Sequence, residues 1–251
     1  MISRNRTTRL LLMYLVITII VSSFSLYLAY ARPEGATTSG ESVDSGPILA
    51  PASRNDSGGQ IISLTLDAEQ QNNAWKAYVG NVTGTYVLKN ANNFSIYEWP
   101  TGSTIEGEVY ISRASDVNWT NGVIVCGNQT TMATEQTVFG MGASDTDNIN
   151  NTFNATAHRA FDVGSNNFNA NDCPAIALYV NDSSQTQGAS AIFQEVVIYD
   201  TEGSNFVYVA LINDSETGFD NTTTYDFQAI IPENRSTSTG TYYYFYVELG
   251  S

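Results

Sequence analysis

IFQEVVIYDTEGSNFVYVALI, residues 192–212, carries two apolar runs, Ile192–Tyr199 and Phe206–Ile212, joined by the turn-forming residues Asp200 to Asn205. Short runs rich in Val, Ile, Tyr and Phe, separated by Asp, Gly, Ser and Asn, mark paired antiparallel strands. Phe206–Ile212 is apolar on both faces, so it belongs inside a sheet and not at its edge. The same pattern spreads outward from this pair. Ala175–Val180 precedes it, and Tyr225–Ile231 and Tyr242–Leu249 follow. In the last of these, Tyr243, Phe245, Val247 and Leu249 fall on one face and Tyr242, Tyr244, Tyr246 and Glu248 on the other.

Further upstream, Ile62, Leu64 and Leu66 alternate with Ser63 and Thr65, and Ser95–Trp99 follows an Asn-rich turn. Ile105, Val109 and Ile111 alternate with polar residues, and Val123–Cys126 follows the turn Asn121-Gly122. Ala74–Lys89 is interrupted by Gly80-Asn81-Val82-Thr83-Gly84, which reads as the turn of a hairpin. About ten strands with short connections predict an all-β domain over 61–251, an antiparallel two-layer β-sandwich. Its weakest part is 127–172, an Asn/Thr/Asp-rich irregular insertion with one short helix near Ala133–Phe139.

The N-terminus sets the compartment. Arg4, Arg6 and Arg9 precede the uncharged run Leu10–Ala31, whose 22 residues are enough to cross a hydrocarbon core of ~30 Å. The basic flank predicts residues 1–9 inside the cell and the remainder outside, in a single-pass arrangement. Ala29-Tyr30-Ala31 also fits a signal-peptidase site, so secretion after cleavage at Ala31 is the alternative. Residues 32–60, rich in Pro, Gly, Ser and charge, read as a flexible stalk holding the domain roughly 30 Å from the bilayer.

All 25 acidic residues but only 7 of the 10 basic ones follow Ala31, a net charge of −18 against −15 for the whole chain. That field repels nucleic acid and excludes a nucleic-acid partner. With only Lys76 and Lys89 as lysines, the surface suits very salty water as well as it suits ordinary secretion. The two cysteines, Cys126 and Cys173, bracket the weak insertion, and in an extracellular setting they are expected to form a disulfide. N-x-Ser/Thr sites occur at Asn55, Asn81, Asn93, Asn118, Asn128, Asn150, Asn154, Asn181, Asn213, Asn221 and Asn234. Chance would give about five, so the excess predicts an N-glycosylated exterior.

Three segments carry a family resemblance: Ala74-Trp75-Lys76-Ala77-Tyr78-Val79-Gly80-Asn81-Val82-Thr83-Gly84, Gly107–Tyr110, and Tyr225–Gln228 with Thr241–Leu249. Over Leu66–Leu249 the chain resembles uncharacterised membrane-anchored, N-glycosylated surface proteins of archaea that share a W-x-x-Y-x-G-N-V-T-G hairpin. The resemblance implies a compartment and brings no chemistry.

The residues offer little for catalysis. His158 is the only histidine and has no nucleophile motif beside it. Glu106, Glu108, Glu195 and Glu248 lie on predicted strands, and a pair of them meeting in space is the one route to glycoside hydrolysis. Asp145–Asn150 starts like a Ca2+ loop but has Ile149 where an oxygen ligand belongs. Asp214, Glu216 and Asp220, around Gly218, form the better candidate Ca2+ site. Tyr242, Tyr244 and Tyr246 on one strand face are candidate glycan-stacking rings. A glycan-binding surface expects that face and Trp75, Trp99 and Trp119 to be exposed together. The expected function is a non-catalytic cell-surface protein, structural in the envelope or in a filament. An adhesin or carbohydrate-binding module is the alternative. The expected partners are the membrane, other surface subunits and glycans.

Overall fold

The computed structural model describes residues 32–46, 53–55, 57–66, 71–101, 104–234 and 240–250. Its strands are β1 (Glu34–Gly35), β2 (Trp75–Gly80), β3 (Thr85–Lys89), β4 (Ser95–Pro100), β5 (Gly107–Ser112) and β6 (Ile124–Cys126). Two helices follow, α1 (Gln129–Val138) and α2 (Ile149–Thr152). The chain continues through β7 (Phe161–Val163), β8 (Asn166–Phe168), β9 (Ala175–Ala177), β10 (Gln194–Asp200) and β11 (Asn205–Leu211). It ends with β12 (Glu216–Thr217), β13 (Thr224–Tyr225), β14 (Phe227–Pro232) and β15 (Tyr244–Leu249).

Every strand pairing is antiparallel, as the alternation predicts, and the protein is mainly β. The centre is a seven-stranded sheet in the order β1-β15-β5-β11-β10-β6, with β9 also on β10. The pair β10/β11 turns through Asp200, whose carboxylate accepts from the Glu202, Gly203 and Asn118 amides. A Cβ at Gly203 would lie 2.4 Å from the Asp200 carboxylate and displace it. β11 is interior, as its two apolar faces predict.

Both faces of this sheet are covered. On one, the two-stranded β2/β14 sheet joins Phe153, Ile149 and Met132 in packing on Ile111, Tyr208, Ala210 and Val197. On the other, Phe161, Val163 and Val117 pack on Tyr110, Ile124, Val196, Ile198, Val207 and Val209. The all-β expectation holds as one seven-stranded antiparallel sheet with four two-stranded ones among the described residues. Each fully buried aromatic, such as Phe193 or Phe153, contributes about 2–3 kcal/mol through burial.

The insertion 127–172 is more ordered than its composition predicts. Asn128 caps α1 by accepting from the Thr130 and Thr131 amides, and Thr131 Oγ1 accepts in return from the Asn128 amide. Asn148 caps α2 in a similar way. Asn-rich sequence here supplies helix caps, and the β7/β8 hairpin covers one sheet face.

Cys126 and Cys173 are joined, with Cα atoms 5.0 Å apart. β6 pairs with Ile198–Asp200 and β9 with Gln194–Val196, so two short strands divide one edge of β10. The disulfide staples them at their junction.

Three expectations are corrected. Ala74–Lys89 is not a hairpin: β2 pairs with β14 and β3 with β4. The Asp226 carboxylate accepts from the buried Val82 amide, and the Asp226 amide donates to Gly80 O, which turns the chain away from β2. Ile62, Leu64 and Leu66 form no strand; Leu64 and Leu66 are exposed and Ile62 is half-buried. The stalk does not begin free at residue 32, because Glu34 and Gly35 pair with Val247 and Tyr246 on β15 and Pro33 is buried. Residues 10–31 lie outside the described residues, and among those described no helix is long and apolar enough to cross a membrane.

Candidate functional site

The β3/β4 hairpin stands apart from the two cores. Its register places Tyr86 opposite Trp99 and Leu88 opposite Tyr97, so these four share one face. Its turn is fixed by Asn90, whose side-chain oxygen accepts from the Asn92 and Phe94 amides (3.0 Å each). Large apolar side chains on this arm face solvent: Ile96 is 79% exposed, Phe94 71%, Tyr97 58%, Leu88 54% and Trp99 47%. The Tyr97 and Trp99 rings lie 4.7 Å apart, tilted by 60°.

The arm is rooted at the C-terminal end of β15. The Tyr86 hydroxyl donates to Leu249 O (3.1 Å), Thr101 Oγ1 donates to Gly84 O (3.1 Å), and Gly84 lies against the Leu249 side chain. A cleft of about 280 Å³ opens there, lined by Tyr86, Pro100, Thr101, Ile105, Glu106 and Leu249. An isolated two-stranded hairpin is marginal in water. A contiguous exposed apolar surface marks a place of association.

Beneath the root, Glu108 on β5 stands directly opposite Glu248 on β15, both buried. Gly107, at φ 125°, allows this closure, since a Cβ would sit 2.0 Å from Glu248 O. Burial, and then the charge of Glu248, pushes the Glu108 carboxyl up to about 8. Burial also raises Glu248, offset by donors: the Gly164 amide reaches both oxygens (3.0 and 2.8 Å) and the Tyr110 hydroxyl one of them (2.9 Å). Glu108 therefore keeps its proton to higher pH than a free carboxyl, beside a Glu248 whose two oxygens are hydrogen-bonded. Two carboxyls with environments this different resemble an acid–base pair, but both are buried. Of the other candidates, Glu106 is exposed at the cleft. Glu195 lies under β14, accepting from the Ile230 amide (2.8 Å), and burial raises its carboxyl well above the usual range.

His158 is fully buried. Its Nε2 accepts from the Cys173 amide (2.9 Å) and its Nδ1 donates to Arg159 O (2.6 Å), so it positions the disulfide strand. The tyrosine face does not hold together. Tyr242 and Tyr244 are exposed, but Tyr246 is buried against Trp119, its hydroxyl donating to Ala114 O (3.0 Å). Trp75 packs on Phe153 and Trp119 on Tyr110, so only Trp99 of the three tryptophans is well exposed.

Asp214, Glu216 and Asp220 do not converge. Asp220 accepts from the amides and hydroxyls of Thr222 and Thr223, and among the described residues no three His, Cys, Asp or Glu side chains could hold a metal ion together. Of the N-x-Ser/Thr asparagines, Asn55, Asn81, Asn93, Asn128, Asn154, Asn181 and Asn221 are exposed, and Asn118, Asn150, Asn213 and Asn234 are half-buried. Asn150 turns inward, its Nδ2 donating to Gln136 Oε1 (2.7 Å) and its Oδ1 buried. Comparison of the chain with protein-family models, curated proteins and solved structures finds no match.

Sequence reasoning missed the arm as a site because Ser95–Trp99 reads as an ordinary strand. The signal it offered was apolar side chains on both faces of a short segment that follows an Asn-rich turn.

Proposed function

We propose that the chain is a non-catalytic component of a cell surface, held by a membrane segment at Leu10–Ala31 and acting by association through the β3/β4 arm. One observation carries this reading: five large apolar side chains are exposed on a hairpin that neither core covers. Supporting it, the residues best suited to acid–base work, Glu108, Glu248 and His158, are enclosed and engaged in holding the fold. The many exposed N-x-Ser/Thr sites on an acidic exterior fit a glycosylated protein outside the cell.

A photoreactive phenylalanine at position 97 of the full chain in intact membranes tests the reading, with position 242 as an exposed control off the arm. Adducts from position 97 well above those from position 242 are expected. Reaction with water alone at position 97 would refute association through the arm. Glycan binding is the second reading, and the half-exposed Tyr97 and Trp99 rings favour it over the tyrosine strand. Their 60° tilt offers no single flat platform for a sugar, which places it second.

A further inference from the structure

We infer that the arm's partner is the lipid surface of the membrane that holds the N-terminal segment, with Leu88, Phe94, Ile96, Tyr97 and Trp99 seated at its interface. The inference rests on the association reading above and on Leu10–Ala31 as a membrane segment. The register of β1 carries it. Glu34 pairs with Val247 and Gly35 with Tyr246, so one and two residues earlier the antiparallel chain runs beside Glu248 and Leu249. The chain therefore enters the sheet at the Leu249 end of β15. That is the end where the arm is rooted, through Tyr86 on Leu249 O and Gly84 on the Leu249 side chain.

Only Arg32 and Pro33 separate the apolar run from β1. Two residues span at most ~7 Å, whereas a strand the length of β4 extends ~20 Å. A bilayer entered at Ala31 thus lies closer to the arm's root than the arm is long. With β1 held on the sheet, the chain that follows it does not set the distance between domain and membrane.

The chemistry of the arm suits that place. Its strands hold one Lys and one Glu, Lys89 and Glu98, on a chain whose part after Ala31 carries −18. It is locally neutral where the rest of the surface is acidic. Tyr and Trp, with apolar rings and polar tips, are the residues enriched where hydrocarbon meets headgroup. A second copy of the chain is the competing occupant, and nothing in the register directs one to this end.

The test reconstitutes the full chain into phosphatidylcholine vesicles containing brominated acyl chains and compares wild type with W99F. Trp75 and Trp119 are packed in the protein, so they serve as internal controls. Quenching of wild-type tryptophan emission by brominated lipid, lost in W99F, is the expected result. Emission from Trp99 open to aqueous acrylamide but not to brominated lipid would overturn the inference. Protection from both quenchers, with cross-links between copies through position 97, would overturn it in favour of self-association. Release of the chain from vesicles by alkaline carbonate would remove the membrane segment itself, a failure distinct from the other two. Glycan occupancy at Asn93, on the arm's turn, would also overturn the inference, since a sugar there must stay in water.

Discussion

Replacing Glu108 by Gln should change how stability depends on pH. In the folded protein burial and Glu248 raise the Glu108 carboxyl from 4.5 to about 8, so between those values the folded state keeps a proton that the unfolded chain has released. Raising pH through that window therefore favours unfolding, and below about 4.5 the penalty vanishes. At ~1.4 kcal/mol per pH unit the displacement sets a ceiling of about 5 kcal/mol. Glu108 and Glu248 titrate as a pair and some solvent enters on ionisation, so about half of that, ~2–3 kcal/mol, is expected.

Gln keeps the shape and removes the charge, so E108Q should escape this part of the loss. Glu248 and Glu195 are raised as well and give the variant a residual slope of the same sign. The informative quantity is thus the difference between the two proteins. Urea unfolding of residues 32–251 at pH 5, 6.5 and 8 measures it. Wild type should lose ground to E108Q steadily from pH 5 to 8. A difference constant to within ~0.5 kcal/mol over that range would refute the placement of a protonated Glu108 in the folded state.

Reducing the Cys126–Cys173 bond, which closes a separation of 47 residues, should lower stability by about 4 kcal/mol on the chain-entropy argument, read as a drop in melting temperature with dithiothreitol that C126S/C173S reproduces. Asp226→Ala strands the Val82 and Ser215 amides that its carboxylate serves at 2.7 and 2.9 Å, and should cost about 2–4 kcal/mol in urea unfolding. The exposed Asp220→Ala should cost well under half as much; equal costs would remove Asp226 as the residue that turns the chain after β2. In glycopeptide mass spectrometry of native protein, Asn150 should be bare while the exposed Asn128, Asn154 and Asn221 are occupied, since a glycan on Asn150 breaks its contact with Gln136.

What could be read from residues alone followed locality. β10 and β11 are neighbours in sequence and pair with each other, so the turn at Asp200–Asn205 and the apolar runs beside it were legible. The pairing of β2 with β14 spans some 150 residues, and Gly80–Gly84 carries the composition of a hairpin turn without making one. Only Asp226, far downstream, decides that turn, by taking the Val82 amide. Composition misled at 127–172 for a related reason: Asn and Thr serve turns and helix caps equally, and Asn128 and Asn148 are caps. Facing glutamates were invisible because Glu108 and Glu248 meet only through the β5/β15 register.

Alternation reports which residues share a face and says nothing of what covers it. Tyr246 and Trp99 belong to strands of similar composition, yet Tyr246 lies under Trp119 and Trp99 lies in solvent. The difference is the neighbour. β15 joins β5 in a sheet with two covered faces, whereas β4, among the described residues, pairs only with β3. Ile61, Leu64 and Leu66 are themselves exposed. A chain that buries His158 with both ring nitrogens hydrogen-bonded has not left an apolar hairpin uncovered for want of core-building residues. Five of the exposed large apolar side chains gather on one arm, at the end where the chain enters the sheet, and neither core covers them.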